Sequence, residues 1–177
     1  SLFTRAVVVH HGMTIDELGE YGMERMDDEE IERFLSMQSM GVLGLPTEDE
    51  PYLIPLSYGF DGGSQLYFFC LVGEESRKAD LSERADSASF LVYSAETAFH
   101  WRSVFLTGTL RELSQDEGEA MTDDQTPTWR PKLIEAAGET ERTRFWEFSI
   151  EEVTGIRHDA QPPGYPFYRR PDGDRSE

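Results

Sequence analysis

The sequence predicts a small, mainly β barrel with flanking helices. Three observations lead there. Short apolar or alternating runs recur between Val42 and Val153, with turn residues between them. Two of these runs, Tyr52–Phe60 and Leu66–Val72, are joined by Asp61-Gly62-Gly63, a hairpin signal. Helical patterns are few and brief, and two of them open with a capping box.

Taken in order, Ser1–Gly22 carries little pattern, and residues 1–24 are expected to form an irregular extension in which Met13 is a candidate start. The adjacent pair His10-His11 reads as terminal disorder rather than a metal site. Asp27 and Glu30 form a capping box, with Met26 and Ile31 placed as a hydrophobic staple. Ile31, Phe34 and Leu35 then share one helical face, and Gly41 is the expected stop.

Val42–Leu45 is a short strand. Tyr52–Phe60 alternates: Tyr52, Ile54, Leu56, Tyr58 and Phe60 face one way. Leu53, Pro55, Ser57 and Gly59 face the other, which narrows to small residues against which a flat ring can lie. Pro55 lacks an N–H and so belongs at an edge or a bulge. Leu66–Val72 reads as a buried strand and Ser76–Arg84 as a short helix. Ala88–Tyr93 and Ser103–Leu113 are further strands, the second with Gly108 as a bulge or close-approach point. Ser114 to Glu117 is the second capping box. Asp123–Pro131 is loop-like, Phe145–Val153 is a last strand, and residues 158–177 are expected to be an irregular tail.

The formal net charge is −19 over 177 residues, which opposes binding to nucleic acid or anionic membranes. Lysine occurs only at Lys78 and Lys132, and this acid-rich, lysine-poor balance fits a halophilic origin. No stretch approaches the roughly 20 apolar residues of a membrane span. The single Cys70 excludes an internal disulfide, and Val7-Val8-Val9 is too short for a signal-peptide core. A reducing cytoplasm is the expected location.

Ser76, Arg77 and Lys78 stand at a strand-to-helix junction. A hydroxyl, a planar guanidinium, an ammonium and the free N–H groups of a helix start suit a phosphate, against the alternative of a solvated surface pair. No nucleophile elbow, GxGxxG, P-loop or metal-spaced Cys/His pair occurs. His100 and His158 are isolated in the sequence and read as packed or surface residues.

Six segments then carry a resemblance: Met26-Asp-Asp-Glu-Glu-Ile, Met40-Gly-Val-Leu-Gly-Leu, Pro51 to Gly63, Leu66-Tyr-Phe, Ser76-Arg-Lys-Ala-Asp-Leu and Trp101-Arg-Ser-Val-Phe-Leu-Thr-Gly. In this order the chain resembles the pyridoxamine 5′-phosphate oxidase-like split-barrel flavoproteins, most of all the branch with the nitroimidazole-resistance proteins. The resemblance implies a six-stranded split barrel over residues 25–157 and a homodimer with FMN between its subunits. It places Leu53, Ile54, Pro55, Leu56, Ser57 and Tyr58 along the flavin ring, with Phe69 and Cys70 beside it. Ser76, Arg77 and Lys78 fall on the phosphate. Ser103, with its neighbours Trp101 and Arg102, meets the flavin of the facing subunit. Trp101, Phe105 and the strand around Pro55 are the candidate interface.

The chain also departs from the oxidase. Leu53 stands where the oxidase has a basic flavin ligand, and Glu74-Glu75 lengthen the loop before Ser76. The stretch Ile156-Arg157-His158-Asp159 does not match the oxidase's C-terminal substrate signature, so vitamin B6 oxidation is not carried over. The expectation is an FMN-dependent oxidoreductase acting on a small molecule, with no metal and no catalytic side chain assigned. The alternatives are a non-catalytic flavin- or haem-binding protein and a dimer that has lost its ligand.

Overall fold

The computed structural model describes residues 8–9, 13–47, 50–71, 87–121 and 143–160. Six strands close an antiparallel barrel: β4 (Met40–Leu45), β5 (Tyr52–Phe60), β6 (Gln65–Leu71), β7 (Ala88–Thr97), β8 (His100–Leu113) and β9 (Thr143–Asp159). Around the barrel the order is β9-β6-β5-β4-β7-β8, and β8 pairs with β9 to close it. A seventh strand, β3 (Met23–Arg25), adds to the outer half of β9. Two very short strands, β1 (Val8–Val9) and β2 (Met13–Thr14), pair only with each other.

The inward positions alternate as the sequence requires. Leu43, Ile54, Tyr58, Phe68, Phe90, Val92, Val104, Leu106 and Phe148 fill the barrel. Phe90 packs edge-on against Tyr58 and lies tilted on Phe68, with ring centroids 5.5 and 4.9 Å apart. Helix α1 (Asp28–Met37) packs on this core through Ile31, Phe34 and Leu35. Asp27 caps it, accepting from Glu30 N while the Glu30 carboxylate accepts from Asp27 N. The Tyr58 hydroxyl donates to Leu35 O at 2.7 Å and ties α1 to β5. Burial pushes this phenol well above the usual tyrosine range.

The helix ends at Met37 with Gln38 as its cap, rather than at Gly41. Gly41 lies inside β4, where a side chain would collide with the Phe90 ring, so packing rather than helix termination requires glycine there. Gly108 does mark a bulge. Thr107 opposes Glu152 and Gly108 opposes Ile150, which leaves Glu151 as the extra residue on β9. A Cβ on Gly108 would run into the Ser149 carbonyl. The bulge also changes which residues of β9 face inward. Trp146, Phe148 and Ile150 do so before it, and Val153 and Gly155 after it.

The described segments on either side of the barrel core are more regular than the sequence predicts. Ile15–Tyr21 is a 3-10 helix, β3 follows, and β9 runs to Asp159 rather than stopping at Val153. The cause is non-local. Met23–Arg25 pair with Ile156–His158, and the Arg157 guanidinium bridges Glu24 and Glu30 at 2.6 Å each. Hydrogen bonding to Glu24 first, and the charge of Glu30, raise the affinity of Arg157 for its proton. Glu30 therefore serves both the helix cap and the junction of the two chain ends. The predicted helix Ser76–Arg84, the loop Asp123–Pro131, the pair His10-His11 and the tail after Ala160 lie outside the described residues.

Candidate functional site

The candidate site begins where β5 and β6 part. They pair only over Tyr58–Phe60 with Leu66–Phe68. At the turn, Asp61 Oδ1 accepts from Gly63 N and Gln65 N at 2.8 and 3.0 Å, which fixes the hairpin. Beyond Phe68, β6 stays with β9: Phe69 opposes Phe145 and Cys70 opposes Arg144. The first half of β5 stays with β4, Leu53 opposite Gly44 and Pro55 opposite Val42. This leaves Tyr52–Ser57 without a β6 ladder and opens a split between that segment and Phe69–Leu71. Pro55 sits on the one-sided stretch, where its missing N–H costs no ladder bond.

The two strands assigned to a flavin ring thus form the two lips of one split. Their side chains divide as the alternation requires. Ile54 and Tyr58 point into the core, so toward a ligand they offer only backbone. Leu56 packs partly buried against the same core. Leu53 and Pro55 are exposed and Ser57 is half-buried, all on the outer face. Ser76, Arg77 and Lys78 follow β6 in the chain but lie outside the described residues.

Trp101, Arg102 and Ser103 do not reach this split within one copy. They sit on β8, with β7 and β4 between them and β5, three strand spacings or roughly 14 Å away. Trp101 opposes His158 on β9, whereas Phe69 opposes Phe145 on the same strand. Within one copy the split and the Trp101–Ser103 stretch therefore stand apart, with β4 and β7 between them.

The outer face of β5-β4-β7-β8 lies between them and is apolar. Pro55, Val42, Leu91 and Phe105 form one cross-strand row. Leu53, Met40 and Tyr93 flank it, exposed to 64, 57 and 60%. Sequence reasoning named Pro55 and Phe105 but missed Met40, Leu91 and Tyr93. The signal was there: Phe90-Leu91-Val92-Tyr93 is apolar at both parities, as in a strand covered on both faces.

Both isolated histidines are structural at the far end of β8 and β9. His158 Nδ1 is 3.1 Å from Ala98 O and its Nε2 is 2.9 Å from Tyr21 O. Both neighbours are backbone carbonyls, so the ring ties β9 to the Tyr21 and Ala98 segments. The ring also lies edge-on to Trp101. His100 faces Asp159 at 3.3 Å. Among the described residues there is no group of three or more His, Cys, Asp or Glu side chains placed to hold a metal. None of their helices is long and apolar enough to cross a membrane.

The fold has many solved relatives. A FAD-binding protein from Mesorhizobium loti superposes with a TM-score of 0.64 at 22% identity, over 78% of this chain and 98% of that one. The FAD and heme binding protein from Mycobacterium smegmatis gives 0.60 at 15%, over 81% and 77%. A putative 5-nitroimidazole antibiotic resistance protein from Bacteroides thetaiotaomicron gives 0.52 at 17%, over 77% and 89%. At these identities the likeness is one of fold. No curated protein matches in sequence. The family described as pyridoxamine 5′-phosphate oxidase matches residues 27–157, most of the chain and all of the barrel but the last two residues of β9, and the protein belongs to that family.

Proposed function

We propose that the protein is a flavin-dependent oxidoreductase that works as a homodimer, with FMN in a groove between the two copies. The observation that carries this reading is the split between β5 and β6. It lies beside a bare apolar face, and the Trp101–Ser103 stretch of the same chain is too far away to complete it. A two-fold partner would bring Trp101, Arg102 and Ser103 of one copy to the split of the other. Structural relatives described as binding FAD, or FAD and heme, support a flavin at this fold's groove. The choice of FMN over FAD rests on the Ser76-Arg77-Lys78 motif and the sequence resemblance.

The residues of the split fit a flat ring. Leu53, Pro55 and Ser57 offer a shallow outer surface beside Gly44, and the backbone between them has no ladder to maintain on the β6 side. Ser76, Arg77 and Lys78 hold the phosphate. The flavin, when bound, supplies hydride or electron transfer. The chain binds and orients it, and closure of the dimer excludes water. The substrate class is a small oxidised molecule, such as a quinone, a nitro compound or a free flavin, in a cytoplasmic and salt-rich setting.

A second reading, a non-catalytic flavin or haem carrier, is favoured by Leu53, an apolar side chain 64% exposed at the split. Absorbance of the purified protein separates the cofactors, flavin bands against a Soret band. Bleaching of the flavin bands by a reductant, followed by their return on addition of a quinone or nitro compound, separates catalyst from carrier. Light scattering in multimolar salt should give about twice 20.2 kDa, with dissociation or unfolding near 0.1 M. Arg77→Ala with Lys78→Ala should weaken FMN by roughly ten- to a hundredfold while circular dichroism stays unchanged. FMN affinity equal to the parent's would place the phosphate elsewhere.

A further inference from the structure

A cavity of about 240 Å³ opens between the second half of α1 and the β7–β8 hairpin, away from the split. Phe34, Met37 and Trp101 give it apolar and aromatic surface, and Arg102 lies in its wall. Its volume falls below the roughly 300–1,000 Å³ of pockets that take drug-sized ligands, which limits a guest to about one ring.

Arg102 is electrostatically unusual in this chain. Acidic residues outnumber Lys and Arg by 35 to 16, and the other described arginines are engaged. Arg33 pairs with Glu29, Arg111 with Glu117 and Glu147, Arg144 with Glu112, and Arg157 with Glu24 and Glu30. Arg25 has an interaction of its own. Arg102, by contrast, has no carboxylate within ion-pair distance among the described residues. Its cross-strand partner on β9 is Arg157, a like charge directly opposite, which is unfavourable unless an anion intervenes. Arg157 has its two carboxylates and Arg102 has none. The acidic groups of the cavity wall are already engaged: Glu30 by Arg157 and the helix cap, and Glu96 facing His100 at 3.9 Å.

We propose that this cavity binds a small anionic ring compound, its carboxylate or equivalent group on the Arg102 guanidinium and its ring against Trp101 and Phe34. A planar fork of donors matches a carboxylate, and an aromatic wall suits a flat guest. That such a guest is the substrate rests on the flavin reading above; that the cavity binds it does not.

The test uses benzoate and its neutral analogue benzamide, followed by saturation-transfer NMR on the full-length protein at fixed salt. Benzoate should bind saturably and at least roughly tenfold more tightly than benzamide, as expected for a charged hydrogen bond. Arg102→Gln should erase that preference, and Arg102→Lys should keep part of it, with circular dichroism as the fold control. Benzoate binding should survive in the Arg77→Ala, Lys78→Ala protein, so loss of FMN and loss of the anion site read out separately. Equal binding of benzoate and benzamide to the parent protein would overturn the proposal. So would an undiminished preference in Arg102→Gln.

Discussion

The outside of the barrel has two regions built on opposite plans. Over β6, β9 and the second half of β8, the outward apolar residues are covered. Tyr67, Leu113 and Phe145 form a small cluster of their own, with Met121 packed against it. The short helix α2 (Gln115–Glu119), capped by Ser114, lays Gly118 on the Phe145 ring. Arg111 bridges Glu117 and Glu147, and Arg144 pairs with Glu112. Over β5, β4, β7 and the first half of β8, the same outward positions carry Leu53, Met40, Leu91, Tyr93 and Phe105, all of them exposed. One region is covered within a single chain and the other is exposed in it. In so acidic a protein, an uncharged strip of this size marks where charge would do harm.

That contrast can be broken from either side. Phe145→Ala should cost about 3–5 kcal/mol in denaturant melts, because it empties a cluster that the chain covers by itself. Loss of less than about 1 kcal/mol would mean that α2 is not a real cover. Leu91→Arg with Phe105→Arg should leave the subunit fold intact but weaken self-association at least roughly tenfold, about 1.4 kcal/mol. Sedimentation of this variant as a dimer would remove the assigned role of the bare face.

Tyr58 tests the shared interior beneath both regions. Its phenol is held neutral by burial, while in the unfolded chain it ionises near pH 10. The stabilisation is therefore complete below about pH 10 and is lost as pH rises above it. Tyr58→Phe should cost about 1 kcal/mol at neutral pH through the lost bond to Leu35 O, and should flatten the alkaline fall. An unchanged alkaline profile would point to another group. The smallest effect should come from Arg111→Ala. Arg111 itself and its partner Glu117 are exposed, though Glu147 is not, so a shift below about 1 kcal/mol is expected. A larger loss would show that the charged lid supports Phe145.

Much of the barrel was legible because local rules and the fold agree. Both capping boxes form, the Tyr52–Phe60 alternation gives the observed faces, and Gly108 sits opposite the bulge as its close-approach point. What was illegible depends on partners far along the chain. Met23–Arg25 has no strand signature and becomes a strand only because β9 offers it an edge. The span from Thr154 to Asp159 lacks an apolar run and is strand only between β8 and β3. The split was half legible. Pro55 announced a one-sided strand, but no single residue tells where β5 and β6 separate. Arg102 was singled out by its neighbourhood in a motif. Its lack of a counter-charge emerges only when the other arginines are seen paired.

The pairing of β3 with β9 also bears on how the protein is made. Glu24 and Arg157, which lock the two chain ends, are 133 residues apart. At about 5–20 residues per second, a ribosome needs roughly 7 to 27 s between them. Throughout that interval Met23–Arg25 has no strand partner, the β9 bulge does not yet exist, and α1 cannot dock on Gly155. A nascent chain stalled before Thr143 should be cut by protease near Met23–Arg25, and the finished chain should resist. The barrel is thus a structure whose first element must be kept from wrong pairings until its last strand leaves the ribosome.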